Sequence, residues 1–163
     1  MILTRHPRPG FLSQEAPGSF AALMDLYERN YIDMRRLLPD MPPPATALVS
    51  KVTGGLDLHL RVIERNRYTS DLNLTYRFRE QNGAILNEPD LHVRIYHDAR
   101  QAEVMAAQLR HYAVAFSAEA DAGCSTNPAR LRHRWQINRF LYKWLTYCLR
   151  QGHRFSDPHL YSR

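Results

Sequence analysis

The sequence predicts an α+β protein: an antiparallel meander of four strands, with a fifth left open, carrying its helices on one face. Three observations predict it. The apolar period is 3.6 near the start, switches to 2 through the middle, and returns to 3.6 at the end. Gly, Pro and Asn punctuate the middle segment at short intervals, as hairpin turns require. Each predicted strand is apolar on one face only, so the sheet needs a cover on one side and stays wet, or meets a partner, on the other. The expected order is α-β-β-β-β-α-α.

The chain has 163 residues, 44% hydrophobic and 23% charged, which suits one globular domain rather than a disordered chain. No apolar run approaches the ~20 residues a bilayer span needs. The start, MILTRHPRPGFL, is broken by Pro7 and Pro9 before any secretory apolar stretch develops. Cys124 and Cys148 are the only cysteines and form no disulfide framework, so a reducing, cytoplasmic setting without membrane association is expected. The formal net charge is +6 and almost wholly arginine, Lys51 and Lys143 being the only lysines. Guanidinium forks match phosphate and carboxylate, which favours a nucleotide, RNA or acidic protein partner. An Arg-rich composition inherited from a GC-rich genome would look the same.

Residues 1–18 hold Pro7, Pro9, Gly10, Pro17 and Gly18 without a sustained period and read as a flexible lead-in. Ser19 is placed as an N-cap for a helix whose stripe is Phe20, Leu23, Met24, Tyr27, Tyr31, Met34 and Leu38, stopped by Pro39. A stiff linker, 39–45, follows. Ala47–Val52 is a short strand closed by Gly54-Gly55. Leu56, Leu58, Leu60 and Val62 then alternate with polar residues, as do Leu72, Leu74, Tyr76 and Phe78 beyond a turn near Asn66. After a loop at Asn82-Gly83 and a stop at Pro89, Leu91, Val93 and Ile95 alternate likewise. Asp98 followed by Gln101 resembles a capping box and predicts a helix from Ala99 to about Gln108, with Val104, Met105 and Leu109 inward. Residues 112–116 fit either a helix extension or a last strand, and 117–129 read as loop. The final helix, about 130–151, carries Ile137, Phe140, Leu141, Trp144, Leu145 and Cys148 on one face and stops at Gly152. The single domain is therefore expected over 19–152, with 153–163 a tail.

The segments MRRLLP (34–39), RNRYTSDL (65–72), RIYHDARQAEVM (94–105) and HRWQINRFLYKWLTYCLRQG (133–152) resemble the YqiB family of proteobacterial proteins, over roughly residues 20–152. That family is classed as a domain of unknown function, so the resemblance implies no activity and no catalytic residues. Relatives are often encoded beside a nucleotide-sugar pyrophosphatase and a cyclic-nucleotide phosphodiesterase, which implies a nucleotide-related process by neighbourhood alone.

Strand alternation projects His59, Arg61, Arg77, His92 and Arg94 onto one sheet face, where they could hold a phosphate. They could equally be a solvated face with Asp57 and Asp71 as cross-strand partners. Without paired aromatics that face is a poor base-stacking platform. Arg130, Arg132, His133 and Arg134 crowd the start of the last helix, where the dipole disfavours cations unless an anion compensates. That anion could be a ligand phosphate, or Glu119 or Asp121 folding back. Trp135 lies about opposite Trp144 on the helix and is a candidate partner contact, or covers a neighbouring loop. His97 and Asp98, with Glu103, invite a metal or acid/base reading, but Asp98 is better used as a cap. Cys148 is expected in the core; Cys124 near Arg130 could be a reactive thiol. HExxH, paired CxxC, GxSxG and P-loop signatures are missing, so no catalytic residue, metal or cofactor is expected. The leading expectation is a non-catalytic protein that binds a phosphate-bearing ligand through Arg130, Arg132, His133 and Arg134, with Arg61 and Arg94 as a second cluster. An adaptor for an acidic protein partner, and a small hydrolase or transferase using His97 and Asp98, are the alternatives.

Overall fold

The computed structural model describes residues 18–109, the backbone of 116–117, and 127–156. The expected helix start stands: α1 runs Phe20–Leu37, and Ser19 Oγ accepts the Ala22 N–H at 3.1 Å, satisfying an N–H that the first turn leaves without a helical partner. Its buried face is wider than the expected stripe. Leu26, Asn30 and Leu37 are fully buried while Phe20 is exposed, because the helix packs on both the C-terminal helix and a sheet strand.

The sheet is one antiparallel meander in sequence order: β1 (Ala47–Ser50), β2 (Leu58–Arg65), β3 (Thr69–Arg79), β4 (Ile85–Tyr96), β5 (Gln101–Gln108) and the two-residue β6 (Phe116–Ser117). The period-2 segments all became strands. Leu58, Leu60, Val62, Leu72, Leu74, Leu91, Val93 and Ile95 are buried on one face, and each such Leu or Val contributes about 1.5–3 kcal/mol through removal from water. Pro89 does not stop β4. The register slips there, between Thr75↔Asp90 and Arg77↔Asn87, so the proline sits at an irregularity where no ladder N–H is needed.

The expected helix at 99–108 is instead strand β5. Residues 97–100 form the turn of a hairpin that pairs Tyr96 with Gln101 and Val93 with Val104, and Arg100 takes a left-handed φ of 54°. Good helix formers were overridden by an unfilled sheet edge with an alternating Gln101, Ala102, Glu103, Val104 pattern to fill it. Of the ambiguous 112–116 only Phe116 is described, paired with Ala107 in β6. Residues 1–17 of the lead-in, Cys124, Glu119 and Asp121 lie outside the described residues.

The C-terminal helix α2 runs Pro128–Gln151, two residues earlier at its start than expected, with Asn127 as N-cap and Gly152 (φ 93°) as the left-handed stop. Beyond it the chain stays on the body. His153 and Phe155 are buried; His153 Nδ1 lies 3.0 Å from Ser50 Oγ, and the Phe155 N–H donates to Leu37 O at 2.7 Å. The two helices pack on each other and on β5, and with the sheet they enclose one core that includes Met34, Leu37, Leu141, Leu145 and Cys148. Among the described residues no helix is long and apolar enough to cross a membrane.

Candidate functional site

On the polar sheet face the register sets Arg61 opposite Asn73, Asn73 opposite His92, and Asp71 opposite Arg94. Arg94 is consumed there: its Nε and Nη2 donate to the two Asp71 oxygens at 2.8 and 2.9 Å, and His92 Nε2 lies 3.2 Å from Asp71 Oδ2. Burial opposes ionisation of Asp71, but the hydrogen bonds and charge of Arg94, with His92, outweigh it and hold the carboxyl below its usual range. The fork that could have met a phosphate meets Asp71 instead, the cross-strand pairing the alternation allowed. Asp57 pairs with Lys51 at 3.7 Å, and Arg61 stays exposed. The structure does not bring Arg61 and Arg94 into a common free cluster.

Because α2 begins at Pro128, Arg130 alone of the four basic residues lies in the first turn, and Asn127 Oδ1 already accepts the Ala129 N–H at 3.0 Å. The unfavourable dipole interaction fades beyond that turn, so Arg132, His133 and Arg134 do not call for an external anion. Arg130, His133 and Arg134 each engage neighbours. Arg134 reaches the Tyr27 phenol, which burial and the adjacent Glu103 carboxylate push well above its usual range. Tyr96 Oη donates to the same Glu103 at 2.6 Å, and burial together with that carboxylate pushes the Tyr96 phenol up to about 12. Glu103 thus ties the two helices to the sheet rather than joining His97 and Asp98. Trp135 is half-buried with the Arg139 guanidinium 5.1 Å over its ring. Among the described residues no three His, Cys, Asp or Glu side chains gather as a metal would require.

A different basic site exists at one end of the sheet. In a meander the β2–β3 and β4–β5 turns must emerge at the same end, and the last turn of α1 arrives beside them. They wall an open cleft of about 470 Å³ lined by Arg35, Arg65, Arg67 and His97, with Asp40 as its one carboxylate. The His97 N–H donates to Tyr68 O at 2.8 Å, stitching the two turns together, and His97 Nε2 lies 2.8 Å from Ser70 Oγ. Burial first, then the guanidiniums of Arg35 and Arg65, hold the imidazole below its usual range against the opposing charge of Asp98. His97 is therefore neutral near pH 7. Ser70 is buried, so this Ser–His pair orients the ring and offers no reachable nucleophile. Among the described residues Arg35, Arg65 and Arg67 have no carboxylate in ion-pair contact, in contrast to Arg94. Sequence reasoning missed them because they sit at element ends, with Arg35 30 positions before Arg65; the alternation of turn ends in a meander was the signal available.

Three of the four segments singled out for their family likeness, 34–39, 65–72 and 94–105, supply this cleft. A family model described as "Protein of unknown function (DUF1249)" matches residues 33–154. The uncharacterized protein YqiB of Escherichia coli K12 is 34% identical over 140 residues, covering 82% of this chain and 90% of the relative. Proteins of the same name from Escherichia coli O6:H1 and O157:H7 match to the same extent. No solved structure matches the chain.

Proposed function

The chain belongs to the DUF1249 family of proteins of unknown function, whose name carries no chemistry, and we propose from the geometry that it binds a phosphate-bearing ligand in the Arg35–Arg65–Arg67–His97 cleft without turning it over. One observation carries the reading: arginines from α1 and from the β2–β3 hairpin, with His97 from the β4–β5 turn, line a cleft of ligand size with a single carboxylate among them. Gathering like charges around an open space is unfavourable unless an anion screens them, and guanidinium forks pair bidentately with phosphate. The neutral His97 adds a hydrogen-bonding group and gains charge readily beside an anion. Binding without turnover is supported by the burial of Ser70 and by Asp98 lying exposed at the turn. Asp98 does not form the oriented imidazole–carboxylate pair that a hydrolase or transferase would use.

A thermal-shift panel of inorganic pyrophosphate, nucleoside mono- and triphosphates and short RNA tests it. A ligand at a hundred times its Kd adds about 2.7 kcal/mol to the native state, which raises Tm by about 5–10 °C for a domain of this size. The shift should fall to about half in Arg65→Ala at the same ligand concentration, as a tenfold loss of affinity requires, and the variant's own Tm should match the parent because the residue is exposed. No shift with any member of the panel overturns the proposal.

A further inference from the structure

The Arg65 cleft does not stand alone. A second cleft of about 730 Å³ shares Arg35 and Pro39 with it and continues over α1 past Tyr31 and Arg100. A third, of about 450 Å³, shares Ile32 and Arg36 with the second and lies between α1 and α2, where Arg29, Tyr142 and Arg150 line it. Shared wall residues set the three clefts side by side, a row, called the trough below, that runs from the β2–β3 turn across α1 to the last turn of α2.

We infer that this trough is a track for a single-stranded nucleic acid, whose phosphates pass from Arg65 and Arg35 to Arg36 and Arg150 while bases rest on tyrosines along the way. The inference rests on the phosphate-binding reading of the first cleft and says that the phosphate there belongs to a polymer. A lone nucleotide would need the first cleft only; arginines continuing through two further clefts suit a ligand with evenly repeated charge. Aromatic rings accompany the charge along the whole length, as sequence-tolerant single-strand binding uses them. Tyr31 and Tyr142 line the second and third clefts, and Tyr68, 53% exposed, stands beside the first with the Arg67 guanidinium 5.2 Å over its ring. The acidic groups along the path are few: Asp40, Glu28 and Asp33, the last buried and 3.5 Å from Arg36. An acidic peptide would use the arginines and leave the tyrosines idle, which makes the polynucleotide the better fit.

The test is fluorescence anisotropy with oligouridylates from the dinucleotide to roughly ten nucleotides, the size range single-strand modules cover, repeated over a potassium chloride series. The variants are Arg65→Ala and Arg150→Ala, at opposite ends of the trough, and Tyr68→Ala; all three residues are exposed, and an unchanged Tm confirms folding. The expected result is affinity that rises with length. Each arginine variant should flatten the log–log salt slope by about 0.7, the value for one lost phosphate contact on a single strand. Tyr68→Ala should weaken the oligomer about fivefold or more. If the longest oligomer binds no tighter than pyrophosphate and Arg150→Ala changes nothing while Arg65→Ala still weakens binding, the track is overturned and the single-cleft reading stands. If polyglutamate displaces the oligomer at equal charge concentration and Tyr68→Ala is inert, the trough is a peptide site and the inference falls. If neither pyrophosphate nor any oligomer binds, both readings fall together.

Discussion

Asn138 Oδ1 accepts the backbone N–H of Val104 at 3.0 Å, with both residues fully buried. This bond satisfies the edge of β5 at a point outside the pairing with β6, which among the described residues joins Ala106 and Ala107. The same amide donates through Nδ2 to Arg134 O at 2.9 Å, and Asn30 Nδ2 donates to the Asn138 carbonyl at 3.2 Å. One side chain of α2 thus does for the strand what a further strand would do, and fixes how the helices meet the sheet. Asn138→Ala leaves a buried N–H without an acceptor, which costs about 1–3 kcal/mol. The expected outcome is a Tm lower by about 2–4 °C per kcal/mol lost, with amide exchange at Val104 accelerating beyond its strand neighbours. A melt indistinguishable from the parent would show that water replaces the amide.

Strands β2 to β4 were legible because burial on one face writes itself into every second residue, from Leu58 through Ile95. Strand β5 was not. Ala, Gln, Glu and Met at 101–106 favour a helix locally, and only the sheet edge waiting beside β4 reverses the choice. Asn138 was equally hidden, since nothing in a helical stripe says that an amide among Ile137 and Leu141 faces an open strand edge. The cleft was half legible: Arg65, Arg67 and His97 follow from the parity of turns in a meander, whereas Arg35 and the continuation over α1 depend on where the helix packs.

Asp71 makes stability depend on acid. Its folded pKa lies below the unfolded value near 3.8, so its contribution is full above that value and is lost as pH falls through the folded pKa. Asp71→Asn should remove that part of the acid dependence. At neutral pH it should lower stability by about 1–3 kcal/mol, the range for losing charge-assisted hydrogen bonds. Urea midpoints of parent and variant at pH 7 and pH 3 check it: the gap should narrow on acidification, and a constant gap would show that Arg94 is held by packing alone.

His153 acts in the same direction as Asp71 but at higher pH. Burial lowers its pKa from 6.5, although hydrogen bonds to the Ser50 and Leu56 backbone and the charge of Asp57 push back. Between the folded pKa and 6.5 the unfolded chain binds more protons, so stability rises with pH there and falls as the pH drops below about 6.5. His153→Gln should flatten the loss of Tm between pH 7 and pH 5. Because His153 and Phe155 anchor 153–156 to Ser50 and Leu37, acid should release this segment first, visible as protease cleavage after Arg154 at pH 5.5 before the body melts.

The contrast between Arg94 and Arg65 separates architecture from binding. Both are strand arginines on a basic chain, and the sequence alone favours Arg94 as the ligand contact. In the fold Arg94 answers a buried carboxylate 2.8 Å away, whereas Arg65 faces an open cleft with other guanidiniums. Arg94→Ala should therefore lower Tm, since Asp71 loses its partner, while leaving the affinity for a phosphate ligand within about twofold of the parent, as expected for distant, independent sites. Arg65→Ala should leave Tm unchanged, since the residue is exposed, while costing affinity by tenfold or so, the size of one charge-assisted contact. Arg132→Ala, on the exposed side of α2, should change neither quantity. Affinity lost in Arg132→Ala and retained in Arg65→Ala would move the site from the sheet end to the start of α2.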